Sequence, residues 1–75
     1  MKPPVHVARQ FGQAVRKLRI KKSMTQQQLA DSCGVDIGYI GQIERGLRNP
    51  SLGVIHSIAS VLHVSVMHLI RTAKI

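Results

Sequence analysis

TQQQLADSCGVDIGYIGQIERG, the stretch from Thr25 to Gly46, decides the fold. Thr25 has the chemistry of a helix N-cap, and Gln28 stands three residues on, the spacing of a capping box. Leu29 and Cys33 give the short helix that follows an apolar inner face. Gly34 ends it, because glycine enters the left-handed turn conformation without steric cost. Ala30, four residues earlier, is small enough for a second helix to approach closely. Asp36 then caps that second helix. Tyr39, Ile40 and Ile43 form its inner side, and Gly46 terminates it. Gln26, Gln27, Asp36, Ile37, Gly38, Gly41 and Gln42 are left facing outward. Two short helices joined by a tight turn at Cys33-Gly34-Val35 make a helix-turn-helix, over about residues 25–45, whose second helix can enter the DNA major groove.

The flanking sequence supplies the rest of a helical bundle. Val7, Phe11, Ala14, Val15 and Leu18 fall on one face of a first helix, over about residues 6–22. Pro3-Pro4 makes the chain before it extended. Leu47 to Pro50 reads as a loop. Ser51 caps a fourth helix, with Leu52, Ile55, Ile58, Ala59 and Leu62 repeating at threes and fours. Ser65 starts a short fifth helix carrying Val66, Met67, Leu69 and Ile70. No segment alternates at period two, so strands are not expected. The expectation is an all-α, compact five-helix domain spanning residues 1–75.

Composition narrows the function. In 75 residues, eleven Lys and Arg stand against three acids, a formal charge of +8. Such an excess calls for a polyanionic partner, nucleic acid before an anionic membrane. Residues 1–24 hold seven of the bases (Lys2, Arg9, Arg16, Lys17, Arg19, Lys21, Lys22) and no acid. The single cysteine, Cys33, excludes a disulfide framework and a cysteine-based zinc finger, and reads as a small core residue of the turn. His6, His56, His63 and His68 include no pair at the i, i+4 spacing of a helical chelate, so no metal or other cofactor is expected. Asp31, Asp36 and Glu44 form no catalytic grouping with a nucleophile, so an enzyme is not expected. No apolar run approaches the roughly 18 residues of a membrane span, and the residues before the first helix do not read as a signal peptide. A cytoplasmic, nucleoid-associated protein is the expectation.

Thr25-Gln26-Gln27-Gln28-Leu29-Ala30, Gly34-Val35, Tyr39-Ile40, Ile43-Glu44-Arg45-Gly46 and Arg48-Asn49-Pro50-Ser51-Leu52 together resemble the lambda repressor/Cro-like (XRE-type) helix-turn-helix DNA-binding family. The resemblance covers roughly residues 8 to 70. Within the family, Ile43-Glu44-Arg45-Gly46 with Arg48-Asn49 is similar to the controller proteins of restriction–modification systems, which are dimeric activator–repressors. Phage-type repressors and antitoxin DNA-binding subunits, which work with a protein partner, share much of the pattern.

The resemblance implies roles residue by residue. Asp36, Ile37, Gly38 and Gln42 occupy base-facing positions, and Arg48 adds a base contact from the loop. Gln26, Gln27, Tyr39, Arg45 and Asn49 fall where the family meets the DNA backbone, and Lys17 adds a phosphate contact from the first helix. Arg19 and Glu44 match a family ion pair. The chain also departs from the pattern. Ile37-Gly38 stands where controllers often carry Arg-Thr, which leaves Gln42 as the side chain of that helix suited to bidentate readout, with adenine as its natural base. Val66, Leu69 and Ile70, in an apolar segment over about residues 64–75, are expected to form a homodimer interface. The implied partners are an operator duplex, a second copy of the chain and, for an activator, RNA polymerase; no membrane is implied.

Overall fold

A computed structural model describes residues 4–75. Five helices follow in order: α1 (Val5–Lys21), α2 (Gln26–Cys33), α3 (Ile37–Glu44), α4 (Leu52–Val61) and α5 (Val66–Ala73). No strand occurs among the described residues.

Local chemistry starts four of the helices. Thr25 and Gln28 form the complete capping box: the Thr25 hydroxyl accepts from the Gln28 amide at 3.0 Å, and Gln28 Oε1 accepts from the Thr25 amide at 2.8 Å. Asp36 Oδ2 accepts from the Gly38 amide at 2.9 Å. Ser51 and Ser65 cap α4 and α5 through the amides of Val54 and His68. Each bond satisfies one of the donors that a helix start leaves free.

One device ends the first four helices. Ser23, Gly34, Gly46 and His63 adopt positive φ, from 56° to 76°. The next residue then donates its amide back to the last turn, from Met24 to Arg19, Val35 to Ala30, Leu47 to Gln42 and Val64 to Ala59. This is the Schellman arrangement. Met24, Val35 and Val64 also rest against the core, so three of the four turns bury the residue that closes them.

The core gathers from every helix. Val15, Leu29, Ile40, Ile43, Ile58, Leu62 and Leu69 are fully buried. Truncating such a side chain to alanine costs about 2–5 kcal/mol. Helix α1 packs against α3 and α5, α2 against α3 and α4, and α4 against α5. The α1–α3 contact depends on Gly12. A Cβ there would lie 2.1 Å from the Ile43 carbonyl oxygen, so α1 crosses the end of α3 backbone to backbone. Gly46 repeats the demand, since a Cβ on it would stand 2.7 Å from Arg9 Cα.

Two expected assignments need correction. Leu52 belongs to no inner face; it opens α4 and is 76% exposed. Leu69 offers no interface surface, because its side chain is wholly enclosed in the core of its own chain. Val66 and Ile70 are half-buried against that core. The open apolar side chains of this end are Met67, 71% exposed, and Ile75.

Candidate nucleic-acid interface

Helix α3 separates two kinds of side chain. Ile40, Ile43 and Glu44 turn inward. Asp36, Ile37, Gly38 and Arg45 are exposed, and Gly41 and Gln42 are half-buried. The outward set is small and weakly charged, so the helix backbone can come close to a groove floor.

A buried polar knot fixes this helix. Arg19 of α1 donates from Nε to Glu44 Oε2 at 2.7 Å and from Nη2 to Oε1 at 3.0 Å, a two-pronged ion pair. Its Nη1 donates to the Met24 carbonyl at 2.8 Å. Gln26 Nε2 reaches the same Glu44 Oε1 at 3.1 Å. The knot therefore ties the last turn of α1, the first turn of α2 and the last turn of α3. Arg19 is 9% exposed and Glu44 7%. The bond to Glu44 raises the Arg19 pKa, outweighing the opposing cost of burial. Among the described residues no buried side-chain nitrogen or oxygen lacks a partner. A carboxamide has two N–H donors, so Gln26 keeps one free at the start of α2, where backbone amides and helix dipole favour an anion.

A second polar group lies on the surface. The Arg48 guanidinium carbon sits 5.0 Å from the centroid of the Tyr39 ring. Arg48 Nη1 also donates to Gln42 Oε1 at 3.4 Å. The left-handed turn at Gly46 brings the loop arginine back beside α3. Sequence spacing names these three residues separately but carries no sign that they meet.

Other candidates are already engaged or lie elsewhere. Gln27 Nε2 donates along α2 to Asp31 Oδ1 at 2.8 Å. Arg45 Nε folds back onto the Gly41 carbonyl at 3.2 Å. Asn49 lines an apolar groove with Pro50, Phe11, Ile55, Ile70 and Ile75, between α1, α4 and α5. Lys17 lines a cleft with Gln10, Thr72, Ala73 and Lys74, where α1 meets the end of α5, and none of the cleft's residues comes from α2, α3 or the loop after α3. The cation of α1 that does adjoin that loop is Arg9, whose backbone touches Gly46. Sequence reading overlooked it, since only the close approach at Gly46 singles it out.

The remaining reactive groups have structural roles. Asp31 holds Gln27, Asp36 caps α3 and Glu44 is ion-paired. Cys33 is half-buried in the turn, and burial pushes its thiol pKa up, which suppresses the nucleophilic thiolate. Among the described residues no group of three or more His, Cys, Asp or Glu is placed to hold a metal ion. No single described helix is long and apolar enough to cross a membrane.

The helix-turn-helix family matches residues 15–69, from the middle of α1 into α5. The chain belongs to the helix-turn-helix family. Control protein C.BamHI of Bacillus amyloliquefaciens is 49% identical over 55 residues, which are 72% of this chain and 68% of that one. The crystal structure of the restriction–modification controller C.AhdI from Aeromonas hydrophila matches with a TM-score of 0.81 and 40% identity, over 83% of this chain and 94% of that one. The transcriptional regulator SinR of Bacillus subtilis is 37% identical over 61 residues, 80% of this chain and 55% of that one. A crystal structure of SinR in complex with DNA matches with a TM-score of 0.75, over 79% of this chain and 95% of that one. Like these relatives, the helix-turn-helix chain is a DNA-binding regulator of transcription.

Proposed function

We propose that the chain is a homodimeric operator-binding protein and, by its likeness to C.BamHI and C.AhdI, the controller of a restriction–modification system. The knot of Arg19, Glu44 and Gln26 carries this reading. It uses a buried ion pair and a half-buried glutamine to fix the angle between α1, α2 and α3, while the outer face of α3 stays open. Such rigidity suits a helix that must enter a major groove in one register.

In this reading Ile37 meets a thymine methyl, and Gly38 permits close backbone approach. Gln26, Tyr39 and Arg9 take the phosphates beside the groove. Phosphate neutralisation supplies most of the affinity, which therefore falls steeply with salt. The duplex places the protein's work in the cytoplasm, at the nucleoid. An activating output adds RNA polymerase as a partner, and catalysis has no part.

Selection of bound sequences from a random duplex library, at about 0.15 M salt, tests the proposal. The expected product is an inverted repeat whose half-site centres lie about 34 Å apart, one turn of DNA. Uniform binding with no enriched repeat overturns operator recognition. The dimer rests on exposed Met67, flanked by half-buried Val66 and Ile70. Met67→Asp is expected to give a folded monomer in sedimentation, with operator affinity lowered about tenfold or more because one half-site no longer helps bind the other. An unchanged dimer would remove this face from the interface.

A further inference from the structure

Resting on the operator-binding reading, we infer that Gln42 and Arg48 read DNA as one donor-rich unit, which selects guanine where Gln42 alone would select adenine. Adenine readout by a carboxamide needs both of its ends: the oxygen accepts from the base N6 amino group while the NH2 donates to N7. In this chain that oxygen already faces a cation, so an adenine amino group would have to share it with a guanidinium. Arg48 Nη1 donates to Gln42 Oε1, and the Tyr39 ring beneath the guanidinium holds it there. The Gln42 NH2 and the remaining guanidinium N–H groups outnumber the one lone pair left on Gln42 Oε1, so the pair presents itself to a groove mainly as donors.

Among major-groove edges, guanine answers two donors best, with acceptors at both N7 and O6. Adenine sets its own amino donor against them, and thymine offers a single acceptor beside a methyl group. Apart from Tyr39, assigned above to a phosphate, no other residue on the outer face of α3 supplies a side-chain amide or hydroxyl. Ile37 and Gly38 are apolar, and Asp36, held at the start of the helix by the Gly38 amide, offers only acceptors. The tyrosine platform lowers the rotamer freedom that Arg48 loses on binding, which favours the pair over a free loop arginine. Gln42 thus acts partly as a positioning residue for Arg48.

The library selection, repeated with Gln42→Ala, Arg48→Ala and the double variant, separates the possibilities. Neither side chain belongs to the core, so all three proteins keep the fold. For the wild type, the expected half-site contains one guanine position that both single variants lose. Each single variant weakens the operator complex by about tenfold or more, and the double variant little beyond either. Adenine at the position lost with Gln42 overturns the inference. So does loss of two different positions whose effects multiply in the double variant. In either case the enriched repeat itself stands, and operator binding with it. If the wild type enriches no repeat, the operator reading fails first, and the donor-rich unit with it.

Discussion

The molecule sets an arginine beside a glutamine twice, to opposite ends. At the seam of α1, α2 and α3, Arg19 and Gln26 share the Glu44 carboxylate over 2.7 to 3.1 Å, with the ion pair buried and the glutamine half-buried. On the outer face, exposed Arg48 leans on Gln42 at 3.4 Å and on the Tyr39 ring, with no carboxylate. A buried guanidinium cannot leave its partner without stranding two charges in a poor solvent. A surface guanidinium contributes little to stability through such a contact and keeps its other N–H groups open to a ligand. The first arrangement makes a hinge-free joint, and the second turns its spare donors outward, where DNA can meet them.

Breaking the joint has the largest expected effect. Glu44→Ala leaves the Arg19 charge buried and frees Gln26 and is expected to cost about 3–5 kcal/mol by chemical denaturation. Stability within about 1 kcal/mol of the wild type would place the seam among surface ion pairs and end the contrast. Gly12→Ala attacks the same joint without touching charge. A methyl group cannot fit 2.1 Å from the Ile43 carbonyl, so α1 must lift from α3. The expected cost is about 1–3 kcal/mol, and operator affinity should fall with it as the helix loses its fixed angle. Full affinity in a destabilised Gly12→Ala protein would separate fold stability from the presentation of α3.

The outer face should behave in the reverse sense. Arg48→Ala is expected to leave stability within about 0.5 kcal/mol of the wild type. The same variant should weaken the operator complex more than it weakens random duplex. Equal losses on both DNAs would make Arg48 a phosphate contact and not a reader of bases.

Legibility in the sequence divides along similar lines. Interactions within a few residues were readable: Thr25, Asp36, Ser51 and Ser65 stand at the caps, and Gly34 and Gly46 at the ends. Features set by another part of the chain were not. Nothing local marks Gly12 as the point where α1 meets a carbonyl, or Arg9 as a neighbour of the loop after α3. In α5, Val66, Leu69, Ile70 and Ala73 share one apolar face with Met67 off it, but the pattern does not say whether that face meets its own chain or a second copy. A basic residue of α1 can face α3 or α5, and the helical spacing that sets Lys17 outside the core does not say which. Resemblance alone joined Arg19 to Glu44, and it gave no hint that Gln26 completes the knot.

The smallest expected effect concerns the turn that serves the joint. Ser23 takes a left-handed φ of 56°, which lets Met24 present its carbonyl to Arg19 Nη1. A residue with a Cβ pays about 1–2 kcal/mol for that conformation, part of which glycine returns through its freer unfolded chain. Ser23→Gly is therefore expected to stabilise the fold by about 0.5 kcal/mol, read as a small rise in Tm, with operator affinity unchanged. Because Met24 stays in place, Arg19 keeps all of its partners and the presentation of α3 does not shift. A gain in stability accompanied by weaker DNA binding would mean that strain in this turn helps to set the angle of the reading helix, and would extend the joint beyond the three residues that bond across it.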